Sequence, residues 1–151
     1  MIEHRAEIIW RCDGDFARGT YSRVHEIRLD SGVSIPGSSS PHVVPEPASD
    51  PFALDPEEAL VAALSACHML WFLDHARRSG HEVASYRDDA RGRMGRRPDG
   101  RMWLAEVDLR PRIGWASMVP APTEIERLHE LAHHDCFIAN SVMTEVRVKP
   151  A

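Results

Sequence analysis

The stretch Asp55-Pro56-Glu57-Glu58-Ala59-Leu60-Val61-Ala62-Ala63-Leu64-Ser65-Ala66-Cys67-His68-Met69-Leu70-Trp71-Phe72-Leu73 decides the fold. Asp55 is a good helix N-cap, Pro56 suits the first helical position, and Glu58 completes an acidic variant of the capping box. Gly80, after Arg77 and Arg78, supplies the stop. From Ala59 to Leu73 only Ser65 and His68 are polar, so the helix is apolar nearly all round. That run is shorter than the roughly 20 residues a bilayer span needs, and charges flank both ends. A central buried helix is therefore expected.

Working outward, residues 5–11 and 20–30 read as two strands, with Asp13-Gly14 and Gly19 as turn signals for a hairpin with a long loop. A short third strand takes in Val33 and Ile35. Pro36 to Pro56 then holds six of the eleven prolines and the run Ser38-Ser39-Ser40. Such a segment enters neither a central strand nor a helix interior, and its length suggests a functional flap over a site. Beyond the helix, strands fit residues 82–95 and 101–113, joined by the turn Arg97-Pro98-Asp99-Gly100. Thr123 is the expected cap of a second helix, with Glu126 as its capping-box partner. Ile125, Leu128, Leu131 and Ala132 form that helix's apolar stripe. Val142, Thr144, Val146 and Val148 alternate with more polar residues as a last, half-exposed strand. Strands, helix, strands, helix, strand is an α+β order, in one domain over 1–151.

The composition agrees with a globular domain. The chain has 151 residues, 43% of them hydrophobic and 27% charged. Acidic residues number 23 against 18 basic ones, for a net charge of −5. That balance argues against nucleic acid or an anionic membrane as the main partner. The three cysteines, Cys12, Cys67 and Cys136, are too few and too scattered for a disulfide scaffold and form no CxxC pair. Charges at Glu3, Arg5 and Glu7 do not suit a signal peptide, so a cytoplasmic protein is expected.

Cys67 lies inside the apolar helix, and Cys136 lies just past the second one, in His133-His134-Asp135-Cys136-Phe137. Buried free cysteines are mostly small core hydrophobes, so spacing alone assigns them no chemistry. Glu57 and Cys67 are about 15 Å apart along a helix rising 1.5 Å per residue, too far to touch. Between them runs an alanine set, Ala59, Ala62, Ala63 and Ala66, which lets two helix backbones approach closely. If two copies cross antiparallel near Ala62, Glu57 of each comes level with Cys67 of the other. A two-fold dimer with composite sites is the resulting hypothesis.

These residues carry a resemblance. The motif Asp55 to Leu60, followed by Ala62 to His68, resembles the central-helix motif of the OsmC/Ohr family of thiol peroxidases. Its name combines osmotically inducible protein C and organic hydroperoxide resistance protein. Ala132 to Val142 is similar to the family's second cysteine motif. Tyr21-Ser22-Arg23-Val24-His25 and Ser38-Ser39-Ser40-Pro41-His42 resemble one OsmC-like subgroup. The resemblance implies an OsmC-like α+β fold, antiparallel sheets packed around a long buried central helix, in an intertwined homodimer. It implies reduction of organic hydroperoxides, with Cys67 as the peroxidatic and Cys136 as the resolving cysteine. Their disulfide would be reduced by an external dithiol, possibly of the lipoyl type. A buried thiol needs a cation to ionise at neutral pH. In the family an arginine serves, held by a glutamate that matches Glu57. Arg23 fits the subgroup motif best, with Arg18 and His42 as the other positions. No cofactor or metal is implied.

Two other readings stay open. His129 and His133, spaced i, i+4, with His134 and Cys136 just beyond and Cys67-His68 to complete a set, are the ingredients of a metal site. A family member that senses redox state or binds a small apolar ligand without efficient turnover is the second. Met69, Trp71, Phe72, Trp115 and Met118 are the apolar residues an organic substrate would meet, or plain core. His25 and His68 are placed to assist the thiol or to act as structural donors.

Overall fold

The computed structural model describes residues 1–150. The chain divides into two compact units, the first Met1–Ala59 and the second starting at Leu60. In the first unit, β1 (Ala6–Ile9), β4 (His25–Leu29) and β5 (Ser34–Gly37) form an antiparallel sheet in the order β1-β4-β5. A two-stranded ribbon, β2 (Gly14–Asp15) and β3 (Thr20–Tyr21), makes the expected long hairpin loop. The predicted strand over 20–30 breaks at residues 22–24 because their backbone donors are used elsewhere. Ser22 N–H donates to Asp13, Arg23 N–H to Ala48, and Val24 N–H to the Ser22 hydroxyl. Pro36 sits in the edge strand β5, where a missing N–H is tolerated. The proline-rich segment after it is fastened down: Ser38 is fully buried, donates its N–H to Leu54, and accepts the Asp50 N–H on its hydroxyl.

The long helix α1 spans Pro56–Arg78, 23 residues. Its start is the predicted capping box: Asp55 Oδ1 accepts the Glu58 N–H at 2.7 Å, and Glu58 reaches back to the Asp55 N–H at 3.5 Å. Gly80 follows its end with φ +79°, the left-handed conformation glycine adopts without strain. Burial differs from the expectation. Only Leu64, His68, Phe72 and Ala76, one stripe at steps of four, are buried, while Ala62, Ala66 and Leu70 lie exposed. An apolar composition all round does not by itself bury every face of a helix, and here the second face is exposed. At 23 residues α1 is long and apolar enough to cross a bilayer. Leu64 and Phe72 nevertheless anchor two core clusters, as in the core helix of a folded domain.

The two strands predicted after α1 are four. β6 (Val83–Asp88) pairs with β9 (Pro111–Trp115), while β7 (Arg91–Arg96) pairs with β8 (Met102–Leu109). The chain changes sheets at Asp89-Ala90 and again at Arg110, whose N–H is taken by the Asp88 carboxylate. Gly92 lets β7 lie close on α1: a Cβ there would come within 2.6 Å of the Val61 side chain. The second helix, α2, spans Pro122–Asp135. Thr123 is not its cap. The fixed φ of Pro122 starts the helix two residues earlier, Ala121 takes the cap position without a side-chain bond, and Glu126 is exposed. The last strand, β10 (Glu145–Val148), runs parallel to β8 at the sheet edge, an exception to the expected antiparallel pairing. It follows a 3-10 turn at Ala139–Ser141, which leaves it in the same direction as β8.

The core of the second unit has two parts. Phe72 and Ala76 of α1 pack on Leu128 and Ala132 of α2, with Tyr86, Ile113 and Trp115 against them. Leu64 packs on Val107 and Leu109 of β8, with Val146 and Val148 of β10 alongside. His68 stands between Leu64 and Phe72 on the same helix stripe, at the seam of the two parts.

Candidate functional site

Cys67 and Cys136 come together in the second unit. Cys67 is half-buried on α1, and Cys136 is 1% exposed just past the C-terminus of α2. The turn that places Cys136 is closed tightly. Asn140 N–H donates to the Cys136 carbonyl at 3.0 Å, and the Asn140 side chain donates to the His134 carbonyl at 2.8 Å. Burial pushes the Cys136 thiol up to about 11. The Ala139 N–H, 3.4 Å from Sγ, opposes that rise, and the neighbouring Cys67 thiol adds to it. Cys136 is therefore a protonated, sheltered thiol at neutral pH, while Cys67 keeps a path to solvent. Cys12 is exposed and takes no part; its thiol donates to the Gly14 carbonyl.

The next residue on α1 makes a second pair that the sequence reading missed. His68 Nε2 and His129 Nδ1 lie 3.1 Å apart, with the rings nearly parallel. Both rings are buried, and neither His68 Nδ1 nor His129 Nε2 finds a hydrogen-bond partner in the protein. Burial holds both imidazoles neutral: His68 falls to about 3, with the His129 and His133 charges adding to the effect, and His129 to about 4. The signal in the sequence was the position of His129 among Ile125, Leu128 and Ala132, on the apolar stripe of α2.

The metal reading loses its donor set. His129 faces His68, His133 is exposed one turn further along the same side of α2, and His134 bonds Asp135 at 2.8 Å. Among the described residues no group of three or more His, Cys, Asp or Glu is placed to hold a metal ion. The apolar candidates divide as well. Phe72 is wholly buried core, Trp115 packs on it, and Trp71 stacks on His75 and meets Phe137 edge-on. Met118 is exposed.

The candidate cations and Glu57 belong to the first unit. Arg23 is half-buried, lies 3.6 Å over the Tyr21 ring, and donates Nη1 to the carbonyls of Gly19 and Tyr21. It meets no carboxylate among the described residues. Glu57 is half-buried on the first turn of α1 and has no ion-pair partner among the described residues. Arg18 is exposed and 3.5 Å from Asp15, and His42 is exposed. His25 is held by the Arg23 carbonyl at 2.8 Å and lies against Gly37, where a Cβ would meet its ring at 2.4 Å. That is a structural seat.

Comparison with known proteins bears on these residues. The family profile described as OsmC-like protein matches residues 48–151. An OsmC-like protein of unknown function from Vibrio cholerae is 44% identical, with 100% of each chain covered and a TM-score of 0.97. An organic hydroperoxide resistance protein from Elizabethkingia anophelis superposes with a TM-score of 0.71 at 19% identity, covering 99% of this chain and 94% of that one. The organic hydroperoxide resistance protein OhrB of Bacillus subtilis gives a TM-score of 0.67 at 16% identity, covering 97% and 98%. At such identities these last two speak for the fold. No curated protein matches significantly.

Proposed function

The chain belongs to the OsmC-like family, and on that premise we propose that it is a thiol-dependent peroxidase reducing organic hydroperoxides through Cys67 and Cys136. The observation that carries this reading is the inequality of two adjacent thiols, one half-accessible and one buried and protonated. The Cys67 thiolate attacks the distal oxygen of the hydroperoxide, the O–O bond breaks, and the alkoxide leaves and takes up a proton as the alcohol. Cys67 is left as a sulfenic acid. The Cys136 sulfur then attacks the Cys67 sulfur, its proton joins the departing hydroxyl, and water and a disulfide result. Two electrons from an external dithiol, for which a lipoyl-type thiol is the candidate, restore both thiols. Free thiols poised for this cycle suit a reducing compartment such as the cytoplasm.

Arg23 is the proposed cation for the Cys67 thiolate and Glu57 its orienting carboxylate. The proposed assembly is a two-fold dimer with helices α1 crossed near Ala62. Supporting it, the stripe Ala62, Ala66 and Leu70 is apolar and exposed.

The test is turnover of cumene hydroperoxide with dihydrolipoamide by wild type, Cys67→Ser and Cys136→Ser. The wild type is expected to turn over and to form the Cys67–Cys136 disulfide after one equivalent of peroxide without reductant. Full activity in Cys67→Ser rules the mechanism out.

A further inference from the structure

Cys67, Trp71 and His75 follow one another at steps of four on α1, so their side chains form one row along that helix. Three consecutive residues at the end of α2 meet this row. Phe137 meets Trp71 edge-on, with 5.4 Å between ring centroids, and Asp135 Oδ2 lies 2.9 Å from His75 Nε2. An ionised carboxylate only accepts, so His75 donates there from Nε2. Cys136, between these two contacts, has the Cys67 thiol beside its own. The segment that carries Cys136 is thus pinned to α1 on both flanks of the sulfur.

Asp135 is out of place by local rules. It is the last residue of α2, where the helix dipole disfavours a negative charge. Two imidazoles offset that effect, His134 through Nδ1 at 2.8 Å and His75 through Nε2 at 2.9 Å. Together they hold the Asp135 carboxyl below the usual carboxylate range, His134 contributing more than His75. They differ in what they fasten. His134 is the preceding residue and largely exposed, so its bond ties the end of α2 only to itself. His75 belongs to α1, its side chain is 12% exposed, and the Trp71 ring stacks on it. The His75 bond is the one of the two that joins the neighbour of Cys136 to the helix carrying Cys67.

We propose that His75, through Asp135, positions Cys136 for disulfide formation with Cys67, which makes His75 a positioning residue of the resolving step. Its use in turnover rests on the peroxidase reading; the bracing itself does not. His75 lies eight residues from Cys67, about 12 Å along the helix axis, too far to touch that sulfur. It acts on the pair by holding the residue next to Cys136. Two thiols held side by side react at a high effective concentration, which falls when the segment bearing one of them is loosened.

The experiment equilibrates the full chain with mixtures of reduced and oxidised dithiothreitol and maps the Cys67–Cys136 disulfide by mass spectrometry after an acid quench and alkylation. In this exchange the two cysteines are oxidised as the dithiothreitol disulfide is reduced to its dithiol, so no peroxide enters. His75→Leu is expected to lower the equilibrium constant for the disulfide about tenfold, the size of one hydrogen bond to a charged group, or about 30 mV for a two-electron couple. Asp135→Ala cuts the same bond from its more exposed side, should give the same factor, and stands in where His75→Leu does not fold. The double variant should lose no more than either single one, because both act through one contact. His75→Gln, which returns a donor at the reach of Nε2, should recover most of the loss. A general weakening of the fold acts on dithiol and disulfide forms alike and produces none of this pattern. With one equivalent of cumene hydroperoxide, His75→Leu should form the Cys67 sulfenic acid at the wild-type rate and close the disulfide about tenfold more slowly. An unchanged constant in the variants, additive losses in the double variant, or no recovery with His75→Gln overturns the brace alone. A wild type that forms the disulfide with dithiothreitol but not with peroxide overturns the peroxidase reading alone. A disulfide that forms under neither condition overturns both.

Discussion

Cys67 and His68 are consecutive on one helix, and their partners, Cys136 and His129, lie two turns apart at the far end of α2 and within it. The two pairs join the same pieces of chain, yet one is suited to chemistry and the other to silence. The sulfur pair has one half-buried member and one sealed, so in the proposed cycle an oxidant from outside meets Cys67 first and reaches Cys136 only through it. Both histidines are sealed, 1% and 4% exposed, and burial keeps them uncharged. A hundred degrees of helix rotation separates the two outcomes. Reactivity here follows exposure and the partner's protonation state more than residue type.

The comparison is broken most directly at Cys67. Cys67→Ser should lower hydroperoxide turnover by at least about a thousandfold, as expected when the nucleophile itself is removed. Stopped-flow consumption of cumene hydroperoxide measures it. Cys136→Ser should separate the steps: one equivalent of peroxide is still consumed, a sulfenic acid accumulates on Cys67, and steady turnover with dithiol falls about a hundredfold. Mass spectrometry after a dimedone quench distinguishes that outcome from a dead enzyme.

The histidine pair makes the opposite prediction, in stability. Both rings bind a proton more readily in the unfolded chain, near 6.5, than in the fold, at about 3 and about 4. Stability is thus full above pH 6.5 and is lost as the pH falls through that value toward 4. With two rings the slope approaches about 2.7 kcal/mol per pH unit. Urea unfolding between pH 5 and 7, where the carboxylates stay ionised, reads it, and His68→Leu/His129→Leu should flatten the curve. A curve equally steep in that variant would place the acid sensitivity elsewhere.

The smallest effect is on labelling order. Iodoacetamide at pH 8 should modify Cys67 before Cys136, because the Cys136 thiol is both sealed and held up to about 11. Peptide mapping of partly labelled protein shows the order, and preferential labelling of Cys136 would reverse the roles assigned to the two thiols.

Local signals were fully legible where the physics is local. Asp55, Pro56, Glu58 and Gly80 bound α1 as their capping chemistry requires, because each acts on backbone groups within one turn. Thr123 misled because Pro122, one residue earlier, already supplies a helical φ. The strand count was not legible. An alternation of apolar and polar residues runs unchanged from Val107 to Ile113 through Arg110, and only pairing across the chain reveals that each predicted strand serves two sheets.

The candidate site divides the same way. The sequence by itself determined the long apolar helix, the α+β order, and, through two motifs, the two cysteines to consider. It could not say that Cys67 meets Cys136, or that His129 is buried while His133, one turn further along the same side, is exposed. Those facts depend on how α2 is rotated as it docks on α1. That rotation is set by Leu128 and Ala132 packing against Phe72 and Ala76. Hydrophobic periodicity names the buried face of each helix, but not which residue of one face meets which residue of the other. Shape complementarity settles that choice, and it exists only once both helices are folded and in contact.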